Sequence, residues 1–228
     1  MKRWQTLIFV AVIFALIFAV GLSVIQVAEP LAEYQQARGE YRALREIAQV
    51  PSPSLEVAEP GSVETGIDWA ALRAINPNVV GWILIPGTSI DYPIVQTTDN
   101  ATYLRRTFSG EQNPSGAIFM DRRSVPDFSH PNTIIHGHNM RDGSMFAELM
   151  QFRDYAFLEA HPIIIIFTPN GDRVYEIFTA PVVSQISDIY STDHQPEEAD
   201  GQPIVTLSTC VNGSPELRMV VKGRLIHS

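Results

Sequence analysis

Apolar positions fall into three regimes along the chain. From Leu7 to Val27 they are continuous, 21 residues without a charge and dominated by Leu, Ile, Val, Phe and Ala. Coiled as a helix, that run spans about 31 Å, roughly one hydrocarbon core. From Leu31 to Gln49 polar residues take over, rich in Ala, Glu, Arg and Gln and with no broad apolar stripe. This predicts a polar helical spacer, weakened at Gly39. Pro51 to Gly66 holds three prolines and two glycines among scattered Ser and Glu, the composition of a flexible linker.

Beyond Ile67 the pattern changes to short apolar runs separated by turn residues. Asp68 is placed to cap a short helix starting at Trp69. Strands are predicted at Val79–Ile85, Ile90–Gln96, Ala117–Met120, Thr133–Ile135, Ile163–Phe167, Arg173–Ala180, Ile204–Thr209 and Leu217–Ile226. Pro93 marks an edge strand or the start of a pairing. Residues 168–172 (TPNGD) read as a hairpin turn, and Met145–Phe157 as a helix. About eight short strands with a few short helices predict a mostly β barrel or sandwich of 162 residues, long enough to bury a core.

Charge and cysteine count narrow the function. The 228 residues carry 16 Lys+Arg against 25 Asp+Glu, a net charge of −9 with no basic tract, which argues against nucleic acid as a partner. A single Cys excludes an intramolecular disulfide and CxxC motifs. Lys2 and Arg3 precede the long apolar run and Glu29 and Glu33 follow it, so the positive-inside rule keeps the N-terminus cytoplasmic and sends the rest outside. A cleaved signal peptide would have a shorter apolar region and a small-x-small site, for which Val27-Ala28-Glu29 is a poor match.

Three residues at strand ends carry candidate chemistry. Cys210 closes the run Ile204–Thr209 just before a loop, where a nucleophile would be displayed at the rim of a sheet. Taken alone, a buried structural cysteine is the commoner case. His136 and His138 alternate after Thr133–Ile135; with Asp142 they also spell HxHxxxD, which allows a zinc site. Arg218 opens the last strand, and the turn between Thr209 and Leu217 would bring it beside Cys210. A thiolate needs a proton partner and an electropositive setting, which a His and an Arg supply.

The run Thr206-Leu207-Ser208-Thr209-Cys210, followed by Arg218, resembles the TLxTC signature of the sortases, cysteine transpeptidases of Gram-positive cell surfaces. His138 in Gly137-His138-Asn139-Met140 matches the catalytic His of that family. Residues 78–83 (NVVGWI), 85–88 (IPGT), 90–96 (IDYPIVQ) and 142–146 (DGSMF) are similar to its class B branch. The resemblance implies a closed sortase-type β-barrel and three parts: a cytoplasmic tip and transmembrane anchor at 1–28, a stalk and linker at 29–66, and a catalytic domain at 67–228. It implies Cys210, His138 and Arg218 as catalytic residues, with Ser208, Thr209, Asn139 and His136 lining the substrate site and no metal or organic cofactor. The implied partners are a surface protein or pilin bearing a C-terminal sorting motif, an amine of peptidoglycan or of another pilin, and the cell membrane. Two departures stand out. The class B helical insertion before the TLxTC strand is shortened or absent, only 23 residues separating Ala180 from Ile204, and Asn212 occupies a position that is acidic in some class B members. A membrane-anchored zinc hydrolase using His136, His138 and Asp142, and a surface binding module with Cys210 in its core, are the alternatives.

Overall fold

The computed structural model describes residues 3–50 and 66–228. The expected linker therefore lies, apart from Gly66, outside the described residues. Nine strands form one sheet: β1 (Val79–Leu84), β2 (Asp91–Val95), β3 (Ile118–Met120), β4 (Asn132–His136), β5 (Ile163–Phe167), β6 (Arg173–Thr179), β7 (Val182–Ser184), β8 (Ile204–Val211) and β9 (Ser214–His227). Their order is β6-β5-β1-β2-β3-β4-β8-β9, and a β6–β9 pairing closes those eight into a barrel, with β7 attached outside to β9. Closure removes the open edges a flat sheet would expose.

Period-two patterning explains which side chains fill the barrel. Ile83, Ile94, Ile118, Ile135, Ile164, Ile166, Val205, Leu207 and Val221 are fully buried in one cluster, whereas Trp82, next to Ile83, is buried on the other face of β1. The Trp82 indole N–H donates to Asp91 Oδ1 at 2.5 Å, so its polar edge is satisfied inside the wall. β2 lies between β1 and β3, not at an edge. Pro93 is tolerated because β3 pairs only from Ile94 onward, so no ladder bond is lost on that side. At 168–172 the chain does turn back between β5 and β6, the Thr168 hydroxyl donating to the Gly171 carbonyl at 2.7 Å.

The helices differ more from expectation. α2 (Trp69–Ile75) starts as predicted, with Asp68 Oδ1 accepting from the Ala71 N–H at 2.9 Å. The single helix expected over 145–157 is instead a 3-10 stretch, Ala147–Arg153, followed by α3 (Tyr155–Ala160). Asp154 causes the break: its extended backbone ends one element and its side chain caps the next.

α1 runs unbroken from Arg3 to Ala48. Between residues 10 and 21 its large apolar side chains, Phe14, Leu16, Ile17 and Phe18 among them, are exposed. Among the described residues, no helix is long and apolar enough to cross a membrane. The far end of α1 is not the mere spacer expected over 31–49. Ala37, Tyr41, Leu44 and Ala48 are buried in the barrel's own core cluster. Their spacing of four, three and four puts them on one narrow helix face, enough to dock without a broad apolar stripe. Beside that seam, Arg45 pairs with Asp91 at 3.0 Å and Arg38 with Asp142 at 2.9 Å.

Candidate active site

Strand register assembles the site. β4 and β8 run parallel with His136 opposite Ser208, and just beyond that pair His138 and Cys210 line the same groove. The Gly137 N–H donates to the Ser208 carbonyl at 3.1 Å, which extends the pairing past the end of β4. One step on, the Asn139 side-chain Nδ2–H donates to the Cys210 carbonyl at 2.9 Å. Antiparallel β9 places Arg218 directly opposite Cys210, after a tight turn at Asn212-Gly213 with Gly213 at φ +77°. There the β8–β9 register shifts between Cys210 and Val211. Such a bulge re-aims a side chain at a strand end. The six residues before Cys210 are buried and Cys210 itself is exposed.

Cys210, His138 and Arg218 face one groove of about 630 Å³ on the barrel rim, which Asn139 does not line. Its walls include Cys210, His138, Arg218, His136, Ser208 and Thr209. His138 Nε2–H donates to the Leu104 carbonyl at 2.7 Å. Because a carbonyl only accepts, that bond keeps the proton on Nε2. The Arg218 guanidinium donates to the Pro215 and Leu217 carbonyls, at 2.6 and 2.9 Å, and to Gln185 Oε1 at 2.9 Å. Its fork is thus held on its own turn at the groove's edge.

The residues of the zinc reading have separate partners. His136 Nε2 meets Asp121 Oδ2 at 3.2 Å, His138 is on Leu104, and Asp142 pairs with Arg38 of α1. Among the described residues no group of three or more His, Cys, Asp or Glu is placed to hold a metal ion.

A family model of the sortase domain matches residues 83–226. The chain belongs to the sortase family. Its relatives place it in class B. It is 36% identical to sortase B of Listeria monocytogenes over 180 residues, 68% of this chain and 72% of that protein. A structure of sortase B from B. anthracis superposes with TM-score 0.69 at 32% identity, covering 87% of this chain and all of that one. A Staphylococcus aureus sortase B–substrate complex gives TM-score 0.71 at 26% identity, over 86% and 99% of the two chains. This class B sortase is therefore a cysteine transpeptidase.

Several groove residues of this sortase escaped the sequence reading. Asp121, directly after β3, is almost wholly buried and bonds Arg123 at 2.8 Å as well as His136. Burial pushes its carboxyl pKa up, but the hydrogen bonds from Arg123 and His136 outweigh that and hold it well below the usual carboxylate range. The signal that pointed to Cys210, a reactive residue ending an apolar run, also applied to Asp121. Tyr190 donates to or accepts from Ser208 at 2.7 Å and stacks on His136, the ring centroids 6.3 Å apart. Tyr190 and Gln185 come from the segment before β8, which has β7 and two single-turn 3-10 pieces, Asp188–Tyr190 and Glu197–Ala199. Nothing periodic in that segment announced them.

Proposed function

We propose that this sortase is anchored by its N-terminal helix with the barrel outside the cell. There it cleaves a sorting motif after Thr in a surface protein or pilin and transfers the acyl group to an amine of peptidoglycan or of another pilin. The observation that supports this reading is that Arg218 lies opposite Cys210 in the β8–β9 ladder and that His138, just past the β4–β8 pairing, lines the same groove. The Staphylococcus aureus relative has been captured with substrate. Support for the anchor comes from the uncharged run Leu7–Val27 and its flanking charges.

In this mechanism the Cys210 thiol gives its proton to His138 Nδ1, and the resulting thiolate attacks the Thr carbonyl carbon and forms a tetrahedral oxyanion. The Arg218 fork donates to that oxyanion or to the motif backbone. Collapse breaks the C–N bond, and the departing amine takes a proton from His138. A thioester on Cys210 remains. The acceptor amine attacks it, His138 takes back the proton, and the thiolate leaves. With Nε2–H committed to Leu104, Nδ1 is the nitrogen that gains and loses the proton. Ser208, Thr209 and His136 line the groove around these three, and Asn139 acts from behind it by holding the Cys210 carbonyl.

Intact-mass spectrometry of the full chain with a panel of sorting-motif peptides tests this. The expected result is an adduct on Cys210 that disappears when an amine acceptor is added, with chelator present throughout. No adduct from any peptide, together with Cys210 resistant to alkylation, would overturn it.

A further inference from the structure

His138 lies in a loop just beyond β4, and its only side-chain anchor among the described residues is the carbonyl of Leu104. That carbonyl belongs to the long β2–β3 connection, which α1 holds in place. The buried Tyr41 hydroxyl of α1 donates to the Gly116 carbonyl at 2.7 Å. Gly116, at φ +58°, is packed so tightly that an added Cβ would come within 2.5 Å of the Tyr103 carbonyl oxygen, 3.0 Å of the Leu104 carbonyl oxygen and 3.2 Å of the His138 ring. A side chain there would push on the Tyr103–Leu104 backbone that carries the acceptor of the imidazole. Three further bonds fasten the same connection to α1: Ser109 N–H to Glu40 at 2.8 Å, Asn113 to the Glu33 carbonyl at 2.9 Å, and Gln36 to Glu111 at 2.9 Å. On the other flank of His138, Arg38 of α1 grips Asp142 by side chain and backbone, at 2.9 and 2.5 Å. The two segments that flank His138 are thus both tied to one helix.

We propose that Tyr41 is a positioning residue for His138: through the Gly116 carbonyl it fixes the loop whose Leu104 carbonyl orients the imidazole. Arg38 holds the second flank. The helix that carries the N-terminal apolar run is then part of the working site, not only a tether. This rests on the reading of His138 as the proton-transfer group. Tyr41 touches no reacting atom, so its removal should leave substrate binding alone and slow proton transfer.

The test uses the full chain as wild type, Tyr41→Phe, Arg38→Gln and, as a control, Arg224→Gln, which loses an ion pair to Glu176 between β6 and β9. In Tyr41→Phe, kcat for peptide-to-amine transfer should fall about tenfold with KM within about twofold, since small misplacements of a proton-transfer group are costly. Arg38→Gln should show a smaller loss of the same kind and Arg224→Gln none. The ¹⁵N shifts of His138, assigned by their loss in His138→Gln, should move from the Nε2–H tautomer toward a mixture in Tyr41→Phe alone. Wild-type kcat and unchanged ¹⁵N shifts in Tyr41→Phe would overturn the proposal, as would an equal kcat loss in Arg224→Gln. A wild-type chain that transfers no peptide would defeat the proposed function, and the ¹⁵N shifts would then decide this proposal alone.

Discussion

The two walls of the groove are built by different means. On one side, Cys210 and Arg218 lie opposite each other in a single hairpin, their spacing set by backbone ladder bonds and a two-residue turn. On the other, His138 sits past the end of β4, its ring held by a carbonyl 34 residues away and that carbonyl's loop held by a helix from the other end of the chain. Ladder register is stiff and local. Loop anchorage is long-range and opens more easily. The Cys210 side, proposed as the nucleophile's, should therefore tolerate changes elsewhere in the molecule, while the His138 side, proposed for proton transfer, should feel them.

The largest effect tests the stiff wall. Cys210→Ala should abolish thioester formation, lowering transfer by at least about 10⁴-fold. Stability should stay within about 0.5 kcal/mol of wild type, because the thiol is exposed and the ladder bonds belong to the backbone. Mass spectrometry for the adduct and denaturant unfolding measure the two together. Residual thioester-dependent turnover would remove Cys210 from its role. A large loss of stability would mean that the wall depends on the side chain after all.

Next comes a contrast within the other wall. His136 and His138 are two residues apart, yet their anchors differ: a buried carboxylate for His136, a loop carbonyl for His138. His138→Ala should cost about 10²-fold or more in transfer, the usual worth of a positioned acid–base group. His136→Ala removes only groove wall and should cost under about tenfold. Steady-state kinetics with peptide and amine separates them. Equal losses would break the distinction between the two histidines.

The same contrast explains what was legible beforehand. Cys210 and Arg218 could be paired from sequence because a strand, a turn and a strand lie within 15 residues, Ile204–Arg218. The barrel could be expected because a short apolar run bounded by turn residues marks each barrel strand. His138 could be placed at a strand end, but its acceptor could not, since the carbonyl of Leu104 is a backbone atom with no residue signature. Docking of α1 was hidden because, among the described residues, only Ala37, Tyr41, Leu44 and Ala48 form its buried seam, two of them alanines that leave no conspicuous stripe. Asp121 meets His136 only through the β3–β4 pairing, Phe119 opposite His136, which the spacing of the two runs does not reveal. Closure of the barrel by β6 and β9 is likewise a long-range event without a local mark.

Asp121→Asn has the smallest expected effect on chemistry and shows where the barrel ends and the loop wall begins. Arg123 and His136 hold the folded Asp121 carboxyl well below its unfolded pKa, against the opposing push of burial. A group shifted in that direction contributes stability that is fully present above the unfolded value, about 4, and is lost as pH falls through the folded one. At pH 7 the variant should therefore be less stable by about 2 kcal/mol, the scale of hydrogen bonds to a buried charge. That gap should narrow as pH drops below about 4, where the unfolded wild-type chain takes up the proton and the folded chain does not. Transfer activity at pH 7 should fall less than in His138→Ala, because the altered bond reaches His136 and not the His138 ring. Unfolding in denaturant at pH 7 and pH 3, set beside kcat, distinguishes the outcomes. A pH-independent stability gap would mean that the Asp121 charge is not what holds His136. A transfer loss as large as that of His138→Ala would carry the barrel into the chemistry and erase the boundary between the two walls.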